Sequence, residues 1–186
     1  MRRSYAIRFK KLTSIASGAG RRWCVQSSSG PGRALPPIAL QSTAGRMVNL
    51  AELKVPTVLF FYPRNAQPHE PIPEEWNLIP GARGCTPHSC GFRDLHQEFK
   101  RLGFQIFGVS TQDTDYQKEL VNRVHLLFEI LSDAKFELVN ALQLPTFEYR
   151  GLRLLKRMAW VAEDGTITKV FYPVFPPDKK DRKSVV

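Results

Sequence analysis

The sequence predicts an α/β domain in which a central mixed β-sheet is flanked by helices. Three observations carry that expectation. Continuous β-branched and aromatic runs at residues 57–62 and 104–109 read as strands buried on both faces. Between them Phe92, Leu95, Phe99 and Leu102 recur every three or four residues, the spacing of a helix with one buried face. Near the end, Glu163-Asp164-Gly165 separates two further apolar runs and signals a hairpin turn. Strands alternating with helices and closing on a hairpin imply parallel central strands with an antiparallel edge.

In chain order, residues 35–53 read as a hairpin broken at Thr43-Ala44-Gly45-Arg46. The strand at 57–62 stops at Pro63. Residues 64–84, with Pro68, Pro71, Pro73 and Pro80, are expected to form a loop far longer than usual, and such loops are functional or mobile. A helix is predicted over 86–102, closed by Gly103. Next come a strand at 104–109, a helix at 113–124 capped by Thr111 or Asp113, a strand at 126–131 and a helix at 134–142. The closing hairpin takes 157–162 and 166–172. No glycine-rich phosphate loop follows a strand and no Gly-x-Ser-x-Gly elbow is present, which leaves nucleotide binding and serine hydrolysis without support.

The net charge of +10 misleads until it is divided. Residues 1–51 hold nine Lys or Arg and no acid, which leaves 18 basic against 17 acidic residues in the remainder. A nucleic-acid-binding domain carries its basic face within the folded part, so no nucleic-acid partner is expected. No apolar run approaches the ~20 residues of a membrane span, and no membrane partner is expected either. Three cysteines in 186 residues do not make a disulfide-stapled miniprotein. Residues 1–34 form a basic, serine-rich and acid-free leader. Tyr5, Phe9, Leu12 and Ala16 share one helical stripe, with Arg3, Lys10 and Lys11 mostly opposite. That composition fits an organelle transit peptide or a disordered tail. The expected organisation is this leader, one domain over 35–178 and a polar tail at 179–186. The expected location is cytoplasmic, or mitochondrial if the leader is a transit peptide. Cys24 lies in the leader and receives no role.

The chemistry points to Gly84-Cys85-Thr86-Pro87-His88-Ser89-Cys90, where the long loop becomes a helix. A thiol at a helix N-terminus meets unpaired backbone N–H groups and the positive end of the dipole. Both favour the nucleophilic thiolate, and Pro87 suits a first helical turn. Cys90 follows five residues later. On an intact helix that spacing puts the Cα atoms about 8.6 Å apart, beyond the roughly 7 Å that a disulfide tolerates. The two sulfurs can bond only if the first turn unwinds, and the sequence reading makes this unwinding cheap because Gly84 and a mobile loop precede it. Two other readings stay open: a pair of unreactive helix cysteines, or a metal held by Cys85, His88 and Cys90, for which His69, His96 and His125 are the only other histidines. The Cys-x-x-Cys spacing of dithiol oxidoreductases is absent.

Phe61-Tyr62-Pro63, the stretch from Gly84 through Gly91-Phe92-Arg93-Asp94, Phe107-Gly108-Val109-Ser110-Thr111 and Leu131-Ser132-Asp133 together resemble a peroxiredoxin. The similarity is greatest to the atypical two-cysteine branch typified by bacterioferritin comigratory protein, and it runs from about residue 35 to 177. The resemblance implies a thioredoxin-like fold and thiol-dependent reduction of hydrogen peroxide and organic hydroperoxides without metal, haem or flavin. It implies Cys85 as the peroxidatic and Cys90 as the resolving cysteine, joined in an intramolecular disulfide. Arg157 is implied near the peroxidatic sulfur, with Tyr62, Pro63 and Thr86 at the substrate. The implied partners are peroxides and thioredoxin or a similar dithiol, and the implied assembly is a monomer or homodimer. The alternative is a protein thiol-disulfide oxidoreductase or a redox sensor. Arg157 could equally be a solvated strand-edge charge, with Arg150, Arg153 and Lys156 nearby. The chain departs from the family in two places. Where relatives have a proline seven residues before the peroxidatic cysteine and a Thr or Ser three before it, this sequence has Leu78 and Ala82. The family proline corresponds to Pro63, now separated from Cys85 by the inserted segment, and Thr86 or a backbone N–H is the expected substitute for the lost hydroxyl. The short polar tail is also expected to lack the terminal helix of relatives.

Overall fold

The first hairpin forms as predicted. In a computed structural model, which describes residues 30–172 and Val174, β1 (Ala39–Ser42) and β2 (Met47–Asn49) pair antiparallel around the turn at 43–46. β3 (Thr57–Phe61) and β4 (Gln105–Ser110) run parallel, as do β4 and β5 (Glu129–Ser132). β6 (Thr146–Tyr149) and β7 (Leu152–Leu155) form a separate two-stranded sheet. β8 (Met158–Glu163) and β9 (Thr166–Phe171) close the main sheet, whose order is β2-β1-β5-β4-β3-β8-β9. Three parallel strands therefore lie between two antiparallel hairpins, the mixed sheet expected from the sequence. The leader through residue 29, Cys24 and the tail at 179–186 lie outside the described residues.

Alternation along β3 divides the core. Val58 and Phe60, followed by Tyr62, join Ile106, Ile130, Phe92 and Phe99 on one face, while Leu59 and Phe61 join Val109, Leu131, Trp160 and Leu142 on the other. The first face receives α2 (Cys85–Asp94), α3 (His96–Arg101) and α4 (Thr114–Arg123). The second receives α5 (Glu137–Leu142). Asp133 starts α5 by accepting from Leu138 N at 3.0 Å and Val139 N at 2.9 Å. Gly108 in β4 is glycine because a methyl group there would meet Phe60 Cζ at 2.9 Å, and the Phe60 ring stacks on Phe92 of α2 with centroids 4.4 Å apart.

Three sequence expectations change. The helix predicted over 86–102 is broken at Leu95, where ψ of 0° opens the ladder between α2 and α3. Residues 64–84 are not a free loop. They contain α1 (Glu74–Leu78), whose Trp76 packs on Tyr149 and Leu154 of the β6–β7 hairpin. Arg64 pairs with Glu70, Tyr116 Oη donates to Glu70 Oε2 at 2.6 Å, and Arg150 pairs with Glu75. The β6–β7 hairpin itself is unpredicted. The strand expected at 126–131 begins only at Glu129.

Candidate active site

Cys85 is the first residue of α2, preceded by Gly84 in the left-handed region at φ 89°, a conformation that glycine adopts without strain. Its side chain is 4% exposed. It opens on a cavity of about 410 Å³ walled by Asn65, Ile72, Trp76, Arg83 and Thr86 among others.

The sheet register brings the cation. Phe61 at the end of β3 pairs with Met158 at the start of β8, so Arg157 emerges beside the point where the chain leaves for Cys85. Arg157 is 2% exposed and is therefore not a solvated edge charge. Its Nη2 donates to Cys85 Sγ at 3.1 Å and to Arg83 O at 3.0 Å, its Nε donates to Gly81 O at 3.2 Å, and its Nη1 lies 3.0 Å from His88 Nδ1. No carboxylate among the described residues pairs with it. A buried guanidinium whose partners are carbonyls, an imidazole and a sulfur carries a net positive charge into the site.

His88, one turn along α2, is buried and held neutral, its pKa lowered to about 3 by burial and then by the Arg157 charge. In that form Nδ1 accepts from Arg157. The unfolded imidazole titrates near 6.5, so between about pH 6.5 and 3 the unfolded chain binds a proton that the folded chain refuses. Stability is therefore whole above that window and is lost as pH falls through it. Unfolding free energy is expected to drop by about 2 kcal/mol from pH 7 to 5 on this account. His88→Gln, which keeps an acceptor but does not titrate, should lose that much less in urea titrations at the two pH values.

The other expected residues divide. Thr86 lines the cavity and donates through Oγ1 to Asn65 Oδ1 at 3.3 Å. Tyr62 and Pro63 are buried behind the site and do not line the cavity. Tyr62 packs in the core cluster that contains Cys85, and burial pushes its phenol up, so it stays protonated. Cys90 is half-buried, unbonded and off the cavity wall, and five residues on a helix turn it roughly 140° away from Cys85. Ala82 is fully buried, its carbonyl 3.4 Å from Cys85 Sγ, whereas Leu78 is 81% exposed on α1, far from any role at the sulfur. Unwinding the first turn of α2 would bring Cys85, His88 and the fully buried Ser89 out of the core, so the step is dearer than the sequence suggested. Among the described residues no three His, Cys, Asp or Glu side chains converge as a metal site would require. Sequence reasoning missed Asn65, whose only signal was its place just beyond the strand-ending Tyr62-Pro63. It also missed the pairing of His88 with Arg157.

The model of the family described as Redoxin matches residues 31–186. Chloroplastic peroxiredoxin Q of Oryza sativa subsp. japonica is 28% identical over 168 residues, which span 89% of this chain and 70% of the rice protein. Peroxiredoxin bcp1 of Schizosaccharomyces pombe is 28% identical over 144 residues, 76% of this chain and 65% of that one. The crystal structure of the peroxidoxin BcpB from Mycobacterium tuberculosis matches with a TM-score of 0.64 at 25% identity, covering 80% of this chain and 89% of BcpB. With a thioredoxin-like α/β sheet and a cysteine-led helix at the ends of its parallel strands, the chain belongs to the redoxin family, as a peroxiredoxin of the peroxiredoxin Q and bacterioferritin comigratory protein type.

Proposed function

We propose that Cys85 and Cys90 carry the thiol-dependent peroxidase activity that belonging to the peroxiredoxins gives this chain. Cys85 is the peroxidatic and Cys90 the resolving cysteine. The observation that carries this reading is the Arg157 guanidinium 3.1 Å from a buried Cys85 sulfur on a cavity wall. The Cys85 thiolate attacks the terminal oxygen of the hydroperoxide. An S–O bond forms, the O–O bond breaks, and the departing alkoxide or hydroxide takes a proton to leave as alcohol or water. The product is a sulfenic acid. Cys90 then attacks that sulfur, forming the S–S bond and releasing water. An external dithiol of the thioredoxin type restores both thiols by exchange.

Burial supports a small substrate. At 4% exposure, Cys85 suits a peroxide entering through the cavity better than a disulfide on the surface of another protein. The half-buried Cys90 is the sulfur that a protein reductant could approach once the turn has opened. Both cysteines and Arg157 come from one chain, which supports a site that is complete in the monomer. Intact-mass measurement after one equivalent of hydrogen peroxide should show loss of two hydrogens, located to a peptide that holds Cys85 and Cys90. A product carrying added oxygen at Cys85 and a free, alkylatable Cys90 would refute the resolving step.

Residues 1–34 are read as a leader apart from the catalytic domain at 35–178, in keeping with a family match that starts at residue 31. The rice relative is named chloroplastic, which supports an organellar address for the basic leader. The relatives named above lend no support to the mitochondrial option. Among the described residues no helix is long and apolar enough to cross a membrane.

A further inference from the structure

Residues 64–84 supply most of the wall of the Cys85 cavity, and next to the sulfur that wall is apolar. Ala82, whose carbonyl lies 3.4 Å from Cys85 Sγ, packs with Trp76, Tyr149 and Leu154 in one buried cluster. Three residues before the sulfur the chain therefore extends a hydrophobic surface instead of offering a hydroxyl. Ile72, Pro73 and Trp76 line the same cavity. Ile72 keeps 55% of its surface exposed, yet it does not ride on a free loop. Before it, Glu70 pairs with Arg64 and accepts from Tyr116 Oη at 2.6 Å. After it, Trp76 is buried against Tyr149, with ring centroids 4.9 Å apart. An apolar side chain left open on a cavity wall and anchored on both sides is pre-organised to receive an apolar group.

We propose that Ile72 is a specificity-determining residue, the contact through which the inserted segment selects organic hydroperoxides with a bulky apolar substituent over hydrogen peroxide. The inference rests on the peroxidatic role given above to Cys85 and names the part of the substrate that the cavity reads. Volume agrees with it. The cavity of about 410 Å³ is several times what two peroxide oxygens need, since a water takes ~30 Å³ in the liquid. It falls within the roughly 300–1,000 Å³ that small organic ligands fill. As the sulfur bonds to the terminal oxygen and the O–O bond breaks, the substituent stays on the oxygen that leaves as alcohol. A contact to that unreacting group raises kcat/KM for the substrate that carries it. Hydrogen peroxide carries none and gains nothing from the wall.

The test measures kcat/KM on the full chain for cumene hydroperoxide and for hydrogen peroxide, with a small dithiol as reductant. Ile72→Ser should lower the ratio of the two constants about tenfold, the low end of what a few apolar carbons decide in a pocket, with the loss falling on cumene hydroperoxide. More than half of Ile72 is open to solvent, so the variant should fold. Ile72→Leu, which keeps the apolar volume, should hold the ratio within twofold of the unsubstituted chain. A ratio that falls less than fivefold in the serine variant, or that falls as far in the leucine variant, overturns the inference. An unsubstituted chain that consumes hydrogen peroxide but not cumene hydroperoxide also overturns it and leaves the role of Cys85 standing. One that consumes neither removes the role of Cys85 and this inference with it.

Discussion

Cys85→Ser is expected to reduce peroxide consumption to the uncatalysed rate, while Cys90→Ser keeps its first turnover within about threefold and loses at least tenfold in the steady state. The substitution at Cys85 is nearly isosteric in a site where the side chain is almost wholly buried, so the fold should persist. What is lost is the nucleophile, because a serine hydroxyl is not ionised near neutral pH and the displacement at oxygen needs an anionic, polarisable atom. Removing Cys90 leaves that first step alone. It strands Cys85 as a sulfenic acid that dimedone should trap and that a dithiol must attack directly within the buried site. Stopped-flow peroxide consumption with intact-mass detection separates the two variants. Equal losses in both, or multiple turnovers by Cys85→Ser, would remove the assignment of roles.

The central strands were legible because burial on both faces restricts their alphabet. All five residues of β3 are buried, and a run of Thr, Val, Leu and Phe records that directly. The β8–β9 turn was legible because Asp164 and Gly165 both take positive φ, 48° and 70°, and Asp-Gly is a usual way to encode that turn. The β6–β7 turn uses nearly the same backbone, with φ of 50° at Arg150 and 77° at Gly151. Arginine gives no hint of it. Helix α1 has five residues, too few to show a period. The tie between the inserted segment and the rest is carried by Trp76, whose partners lie some seventy residues away in that same unpredicted hairpin.

The site divides in the same way. A cysteine pair at a loop-to-helix junction can be read locally. Arg157 cannot, since it stands in a cluster of cations and only the β3–β8 register puts it behind Cys85 while Arg150 stays exposed. Asn65 is a polar residue entering a proline-rich stretch, and nothing local separates it from a solvated one. Its burial follows from Gln112, 47 residues on.

Arg157→Ala should lower the peroxide rate by about a thousandfold and the alkylation rate with it. The sequence pointed to the helix N-terminus alone, whereas the fold also sets a buried guanidinium N–H donor 3.1 Å from the sulfur. The alanine variant also removes the donor from Gly81 O and His88 Nδ1, so a fall in thermal stability should accompany the loss. Arg157→Lys distinguishes charge from shape. It keeps the cation, but a single ammonium cannot reach the sulfur, the imidazole and the carbonyls at once. Recovery of more than half of the wild-type rate by lysine would mean that charge alone suffices. Recovery of about a tenth or less would mean that the rate depends on the fork, which fixes the Cys85 sulfur against the helix start.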